Sequence, residues 1–254
     1  MFFRKNKSVQ SQTVVSEAAP QIPYQGLLEK VRKATMTSDE RLIALCDAVH
    51  YICNAQIAGD VVECGVWKGG SMMAAASCLI ERAANDRKLW LYDTFCGMSE
   101  PTNRDVDFLG NSASELMQQS DPSQSDSIWC SAELQEVKSN MESTGYPKDM
   151  INYITGPVEE TLDRGPLPGQ IALLRLDTDW YESTKIEMEQ LFPRLSDGGV
   201  LIIDDYGHWE GCRKAVDEYL RDNGIHLLLH RIDYTGRMGI KLPTTVSRSN
   251  DFAA

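Results

Sequence analysis

The chain has 254 residues, of which 42% are hydrophobic and 24% are charged, and its formal net charge is -12. This length and apolar content are enough to bury the core of a single α/β domain. The acidic balance, without a dense cluster of lysine and arginine beyond the N-terminus, argues against nucleic acid and anionic membrane surfaces as partners. Small molecules are therefore the expected ligands.

The cysteines and the apolar runs predict a soluble, unprocessed protein of the cytoplasm. Seven cysteines are scattered without a C-x-x-C pair, and several lie in apolar runs, where a reduced thiol acts as a small hydrophobic group. No stretch reaches the roughly 18 apolar residues that a membrane span needs. The first residues also lack the apolar core of a signal peptide.

The two ends of the chain differ from its centre. Residues 1–22 are mostly polar and have no sustained hydrophobic period, so we expect a disordered N-terminal tail. A globular domain is expected over 23–246, with a short C-terminal tail over 247–254. The first helix of the domain is predicted from a capping box that begins at Thr37, and it should end near Gly59.

The rest of the domain alternates between strands and helices, which is typical of a parallel sheet with helices on both faces. Apolar runs predict strands within 60–65, 88–93, 151–156, 173–179, 200–207, 227–232 and 238–242. Helical spacing predicts helices at 71–84, 159–163, 183–192 and 212–223. The last two strands are joined by a short turn that contains glycine, which indicates an antiparallel hairpin at the sheet edge. We therefore expect a doubly wound, seven-stranded α/β sheet.

One segment interrupts this alternation. Residues 97–131 form an insertion, and its central part, 110–127, is dense in Ser, Gln and Asp. A polar insertion at the ligand-bearing edge of a sheet often serves as a lid or a substrate loop, and plain disorder explains the composition equally well. Both interpretations stay open.

Acidic residues follow two of the predicted strands. Asp177 ends the run that begins at Leu173, and Asp204 and Asp205 end the next strand. The helix between these strands makes them parallel, so their C-terminal ends open on one edge, about 5 Å apart if the strands are neighbours. Three carboxylates this close repel one another unless a cation lies between them, and oxygen ligands suit Mg²⁺, Ca²⁺ or Mn²⁺ rather than zinc. Alternatively, these acids cap a helix or contact only water.

A glycine-rich turn at 63–71 joins the first strand to the next helix, as in nucleotide-binding α/β sheets. Trp67 takes the position of the glycine that lets the backbone approach a pyrophosphate, which disfavours a dinucleotide. S-adenosylmethionine has no phosphates, and the turn backbone and the helix N-terminus can receive its carboxylate. Asp93, at the end of the second strand, is placed to accept hydrogen bonds from the ribose, and residues 153–158 would flank the adenine.

Further motifs cover most of the chain. They are TMT at 35–37, GDVVECGVWKGGS at 59–71, YDTFCGM at 92–98, LDTDWY at 176–181, DDY at 204–206, GCRKAVD at 211–217 and RIDYTG at 231–236. Together they resemble the macrocin O-methyltransferase family, whose members are S-adenosylmethionine- and metal-dependent enzymes that methylate sugar hydroxyls on natural products.

This resemblance implies the seven-stranded class I methyltransferase sheet, which is Rossmann-like and has an antiparallel last strand. It also implies that Asp177, Asp204 and Asp205 bind the metal. The residues expected to contact S-adenosylmethionine are Thr37, Glu63, Gly65, Trp67, Gly69, Ser71, Asp93, Thr94, Gly156, Val158 and Asp177. The related catechol-type O-methyltransferases place a lysine base three residues after the first metal aspartate, where this chain has Trp180. Another residue must therefore accept the proton.

Two residues are candidates for this general base. His208 lies three residues past Asp205, and its unperturbed pKa of about 6.5 suits the task. Asp179 follows Asp177 by two residues and shares its face if the strand continues that far. The alternatives are an ordinary loop histidine and an acid that caps a helix or bonds to the insertion.

The sequence thus predicts an S-adenosylmethionine- and Mg²⁺-dependent O-methyltransferase that acts on a hydroxyl of a sugar, a sugar-bearing small molecule or a glycan. A divalent cation would lower the pKa of the hydroxyl and orient it toward the sulfonium methyl. The alternatives are a non-catalytic S-adenosylmethionine-binding module and, disfavoured by Trp67, an NAD(P)-dependent oxidoreductase. The identity of the acceptor and the oligomeric state, a homo-oligomer included, are left open.

Overall fold

The computed structural model describes residues 22–122, 124 and 127–243. These residues form a seven-stranded sheet in the order β3-β2-β1-β4-β5-β7-β6. The strands are β1 (Asp60–Cys64), β2 (Leu89–Asp93), β3 (Ile151–Thr155), β4 (Ile171–Leu176), β5 (Leu195–Ile203), β6 (His230–Arg231) and β7 (Arg237–Ile240). The predicted tails lie outside the described residues, except for Ile22.

The helices are α1 (Gln25–Val31), α2 (Asp39–Asn54), α3 (Gly70–Glu81), α4 (Ala113–Gln119), α5 (Leu134–Glu142), α6 (Val158–Arg164), α7 (Tyr181–Gln190) and α8 (Glu210–Asp222). None of the helices in the described part of the chain is long and apolar enough to cross a membrane.

The sheet separates two apolar cores. Val61 and Leu173 pack with residues of α1, α2, α3 and α5, whereas Val62 and Leu174 pack on the other face with residues of α4, α6, α7 and α8. Successive strand residues point to opposite faces, and here both faces are covered. All six positions of β4 are consequently buried, Arg175 among them. This is why the central strands appear in the sequence as continuous apolar runs.

Strand pairing positions the ends that carry acidic residues. The five strands β1 to β5 pair in parallel, whereas β7 is antiparallel to both β5 and β6. The prediction of a doubly wound, seven-stranded sheet that ends in an antiparallel hairpin is confirmed. Leu176 of β4 lies opposite Ile203 of β5, so Asp177 and Asp204 leave the sheet side by side.

Helix α2 begins one residue later than the capping box predicts, and it ends at Asn54 instead of near Gly59. Ser38 is the N-cap, and its Oγ accepts a hydrogen bond from the backbone N–H of Arg41 at 3.2 Å. The hydroxyl oxygen of Thr37 instead accepts a hydrogen bond from Arg175 at 2.9 Å. The hydroxyl that caps the first turn of α2 is therefore that of Ser38 and not that of Thr37.

Much of the insertion is anchored to the domain. Helix α4 lies within it and buries Ala113 and Met117 in the second core. Asp105 is fully buried, and its Oδ1 accepts a hydrogen bond from the backbone N–H of Tyr181 at 2.7 Å, at the start of α7. At Gly211 an added Cβ would lie 2.1 Å from the same oxygen, so a side chain there would displace this anchor. Plain disorder does not describe these residues, and the lid role stays a prediction.

Candidate active site

A cavity of about 530 Å³ opens at the C-terminal ends of the parallel strands. Its volume lies within the roughly 300–1,000 Å³ of ordinary ligand pockets. The predicted cofactor residues that line it are Thr37, Gly65, Trp67, Ser71, Asp93, Thr94, Gly156, Val158 and Asp177. Asp179, Asp204, Asp205 and His208 line it as well. The fold thus brings most of the predicted site residues to one space.

Two of the predicted cofactor residues do not line this cavity. Glu63 is 1% exposed, and its Oε1 accepts a hydrogen bond from Nη1 of Arg175 at 2.6 Å, so its side chain is held below the site. Gly69 turns the backbone into α3 with a φ of 87°, and an added Cβ would lie 3.3 Å from Val137 of α5. Both residues shape the turn from outside the cavity.

Asp93 closes the glycine-rich turn. Its Oδ2 accepts hydrogen bonds from the backbone N–H groups of Val66 at 2.6 Å and Trp67 at 3.0 Å, and its Oδ1 accepts one from Phe95 at 2.7 Å. Burial raises the pKa of Asp93, although these backbone groups favour its charged form. Trp67 has a φ of 47°, which is uncommon for a residue other than glycine. The carboxylate therefore holds a turn whose backbone is otherwise unfavourable.

The turn lies close to the acidic edge and leaves a helix end open. Gly65 has a φ of 79°, and an added Cβ would lie 1.9 Å from the backbone oxygen of Asp177, so a larger residue would push β1 and β4 apart. The N-cap residue of α3 is Gly69, which has no side chain that could bond to the N–H groups at the helix N-terminus. Its first N–H groups can receive an anionic group, which fits the carboxylate of S-adenosylmethionine.

Three carboxylates meet beyond the ends of β4 and β5. One oxygen from each of Asp177, Asp179 and Asp205 lies within 4.8 Å of the other two. The Oδ2 atom of Asp205 is buried and has no hydrogen-bond partner among the described residues. Leaving a buried carboxylate oxygen unsatisfied is costly, and an all-oxygen set of this kind suits a hard divalent cation. The donor set therefore fits a metal ion.

The pKa values of the cluster reflect the same crowding. Burial, followed by the charge of Asp177, raises the pKa of Asp179 to about 7. Burial and the charges of Asp179 and Asp204 raise the pKa of Asp205 well above its ordinary value. The pKa of Asp177 is raised by burial too, while Arg175 acts in the opposite direction. The protein alone thus resists full ionisation of the cluster, and a cation would relieve this resistance.

Asp204, expected from the sequence to bind the metal, lines the same cavity but lies outside this group of three oxygens, and its role as a metal ligand stays a prediction. The residue is 2% exposed, and its two carboxylate oxygens accept hydrogen bonds from Arg175 and Arg41. Burial raises the pKa of Asp204 to about 6, and the charge of Arg175 lowers it. Both oxygens of Asp204 thus face arginines, whereas an oxygen of Asp179 lies within 4.8 Å of oxygens of Asp177 and Asp205.

Arg175 is a site residue that the sequence analysis did not single out. It is 2% exposed, and its Nη1 donates to Glu63 and to Asp177, each at 2.6 Å. Its Nη2 donates to the hydroxyl oxygen of Thr37 at 2.9 Å and to Asp204. A single arginine in an apolar run that ends in acids was the available signal, because a buried charge requires partners.

The two candidate bases lie in different surroundings. Strand β4 ends at Leu176, and Asp179 reaches the cluster through a left-handed φ of 69° instead of a continued strand. Its Oδ2 accepts a hydrogen bond from Nε1 of Trp209 at 3.1 Å. His208 has its Nδ1 atom 3.3 Å from the hydroxyl of Tyr234, and burial lowers its pKa.

A family profile described as macrocin-O-methyltransferase (TylF) matches residues 6–239. The chain belongs to this family. It is 34% identical over 202 residues to the 8-demethyl-8-(2,3-dimethoxy-alpha-L-rhamnosyl)-tetracenomycin-C 4'-O-methyltransferase of Streptomyces olivaceus, which covers 80% of this chain and 73% of that protein. It is 32% identical over 202 residues to the mycinamicin III 3''-O-methyltransferase of Micromonospora griseorubida, with 80% and 76% covered.

The same relationship is visible in three dimensions. The solved structure of the O-methyltransferase NovP is similar to this chain with a TM-score of 0.71, 28% sequence identity and 83% of each chain covered. The family, the methyltransferase fold and the enzyme class predicted from the sequence are therefore confirmed. The protein is an S-adenosylmethionine-dependent O-methyltransferase.

A prediction concerns the binding of this cofactor. Asp93→Ala should weaken S-adenosylmethionine affinity by about 1.5–3 kcal/mol, the range for hydrogen bonds to a charged group, without unfolding the domain. Calorimetric titration measures the affinity, and a thermal melt checks the fold. Asp60→Ala is the matched control, because Asp60 also accepts a backbone hydrogen bond, from Lys88 at 3.1 Å, at the opposite end of β1. Unchanged affinity in Asp93→Ala would remove this residue from the cofactor site.

Proposed function

We propose that the protein transfers the methyl group of S-adenosylmethionine to a hydroxyl of a sugar carried by a small molecule, with the help of a divalent cation, Mg²⁺ first among them. One observation carries the proposal: the turn closed by Asp93 and the carboxylates of Asp177, Asp179 and Asp205 line the same cavity of about 530 Å³. A donor and a hydroxyl acceptor can therefore meet inside it. The Streptomyces olivaceus relative is named for an acceptor that carries a rhamnosyl group.

Asp177 and Asp205 are the residues that would hold the cation, and Asp179 lies next to them. When bound, the cation would supply charge that lowers the pKa of a nearby acceptor hydroxyl. Asp179 would take the proton of that hydroxyl while the acceptor oxygen forms its bond to the methyl carbon and the bond from this carbon to sulfur breaks. Negative charge on oxygen and positive charge on sulfur are both consumed in this step, so a poorly hydrated cavity favours it.

The surrounding residues keep these groups in place. Arg175 donates to one oxygen of Asp177, so the other oxygen remains for a ligand. Trp209 donates to Oδ2 of Asp179 and fixes the orientation of this carboxylate. Asp204 pairs with both Arg175 and Arg41 and so balances part of their charge. Catalytic groups held by such contacts lose little freedom when the acceptor binds, which lowers the entropic part of the barrier.

Methyl transfer to defined acceptors tests this proposal. The protein is incubated with Mg²⁺, radiolabelled S-adenosylmethionine and a panel that contains methyl α-L-rhamnopyranoside, other methyl glycosides, phenolic rhamnosides and catechol. We expect labelled product from at least one glycoside, with one added methyl group by mass spectrometry, and none from catechol. Methylation of catechol alone, or binding of S-adenosylmethionine without turnover on any hydroxyl, would contradict the proposal.

A further inference from the structure

Three aromatic side chains form a rim at the acidic side of the cavity. Phe108 comes from the insertion, His208 from the loop before α8, and Tyr234 from the turn between β6 and β7. The ring centroids are 5.4 Å apart for Phe108 and His208, 6.0 Å for Phe108 and Tyr234, and 5.9 Å for His208 and Tyr234. His208 and Tyr234 line the cavity. This set is called the aromatic rim below.

Two members of the rim are exposed, although their rings are large and largely apolar. Phe108 is 54% exposed and Tyr234 is 53% exposed. Burying such a ring stabilises a fold by about 1.5–3 kcal/mol, so leaving two of them together in water forgoes stability. A single exposed aromatic is ordinary, but a group of rings at a cavity mouth marks a surface that binds something.

The backbone that presents Phe108 is rigid. Asp107 is 6% exposed, and its Oδ1 accepts hydrogen bonds from the backbone N–H groups of Leu109 and Asn111, each at 2.8 Å. Its Oδ2 accepts another from the side chain of Asn111 at 2.8 Å. Helix α8 is bonded to the same loop, because the backbone N–H of Glu210, its first residue, donates to the backbone oxygen of residue 106 at 2.9 Å. These bonds hold the backbone from which the Phe108 ring extends.

Tyr234 is presented in a similar way. Oδ1 of Asp233 accepts hydrogen bonds from the backbone N–H groups of Thr235 at 3.0 Å and Gly236 at 2.7 Å. The other oxygen of Asp233 pairs with Nε of Arg41 at 3.0 Å. A ring fixed in advance loses little entropy when it takes up a ligand.

The rim is also connected to the reaction site. The ring of His208 lies 4.8 Å from the ring of Trp209, whose Nε1 donates to Asp179 at 3.1 Å. His208 and Trp209 therefore connect the rim to Asp179, so an acceptor that reaches Asp179 from this side of the cavity would lie against the rim. In a glycoside that is methylated on its sugar, the reacting hydroxyl is carried by the sugar ring. The sugar ring is therefore the part of the acceptor that lies nearest to Asp179.

We propose that Phe108, His208 and Tyr234 are the residues that bind the sugar ring of the acceptor, by stacking against its apolar face. A pyranose ring presents several C–H groups on one face, and the negative face of an aromatic ring attracts such groups. A 6-deoxy sugar adds a methyl group to this apolar surface and suits the rim best. This inference rests on the proposed function, because it assigns the acceptor side of the same site.

Kinetics with methyl α-L-rhamnopyranoside test the role of the rim. Phe108→Ala and Tyr234→Ala should each raise KM for this glycoside by about tenfold, with kcat and S-adenosylmethionine affinity within about twofold of the wild type. Phe108→Tyr should have the KM of the wild type, because tyrosine also presents an aromatic face. Leu109→Ala is the matched control, because Leu109 is 72% exposed on the same turn and has no ring. It should leave KM unchanged.

A binding measurement separates this inference from the proposed function. Saturation-transfer NMR with the S-adenosylhomocysteine-loaded protein detects methyl α-L-rhamnopyranoside without any turnover. The signal should be lost in Phe108→Ala and kept in Leu109→Ala. If Phe108→Ala matches Leu109→Ala in KM and in the NMR signal, the rim has no role in the acceptor site even though glycosides are methylated. If the wild type methylates no glycoside and gives no NMR signal with the rhamnopyranoside, both the proposed function and the role of the rim are contradicted.

Discussion

Removal of divalent cations with EDTA should abolish methyl transfer and leave S-adenosylmethionine binding largely intact, and added Mg²⁺ should restore turnover. The two effects separate because the cation serves the acceptor, through Asp177 and Asp205, whereas the cofactor side depends on the turn closed by Asp93. Turnover and calorimetric affinity measured on the same chelated sample provide the test. Full activity in excess EDTA would reject the metal site.

Asp205→Asn is the sharpest variant for this prediction. Asp205 has a buried oxygen without a partner, so its substitution removes charge from the crowded cluster and breaks no described ion pair. The variant should fold, lose nearly all activity, and be at least as stable as the wild type when both are free of metal. In contrast, the wild type should gain thermal stability when Mg²⁺ is added, and the variant should not.

An exposed acid serves as the control for these melts. Asp163 lies on α6, its side chain is 61% exposed, and it does not line the cavity. Asp163→Asn should keep both the activity and the Mg²⁺-dependent gain in stability. An equal gain in Asp205→Asn would place the cation elsewhere.

The fold was predictable because its signals are local. Continuous apolar runs predict strands covered on both faces, and most of β4 and the last four residues of β5, 200–203, are such runs. The helix between them makes the strands parallel, and their adjacency in the sheet brings Asp177 and Asp205 to the same edge. The same rule brought Asp93 to the cavity from the end of β2.

The details of the site depend on contacts that local patterns do not encode. Asp179 reaches the cluster through a left-handed backbone conformation, whereas strand alternation predicted its place only if β4 continued. Asp204 faces two arginines, and Arg41 reaches it from a helix 163 residues earlier in the chain. Hydrophobic periodicity carries no information about such pairing. The insertion was ambiguous for the same reason, since Asp105 fixes it through a contact 76 residues away.

The general base can now be predicted from geometry. Asp179 lies among the carboxylates that would surround the acceptor hydroxyl, and Trp209 orients it. His208, the first candidate from the sequence, instead has Nδ1 directed at the hydroxyl of Tyr234 and belongs to the aromatic rim. Asp179→Asn should lower kcat by about 10²–10⁴-fold, the usual contribution of acid–base catalysis, whereas His208→Ala should mainly raise KM for the acceptor.

The asparagine variant is a fair test because it keeps the shape of the side chain and an oxygen that accepts the hydrogen bond from Trp209. The kcat of each variant is measured over a range of Mg²⁺ concentrations, because the loss of a metal ligand and the loss of the base respond differently to excess Mg²⁺. Excess Mg²⁺ restores an enzyme whose metal affinity has fallen, and it does not restore one that lacks its base. If Asp179→Asn recovers at high Mg²⁺, Asp179 is a metal ligand. If His208→Ala loses kcat while Asp179→Asn retains it, the base is His208, and if both retain kcat, water takes the proton.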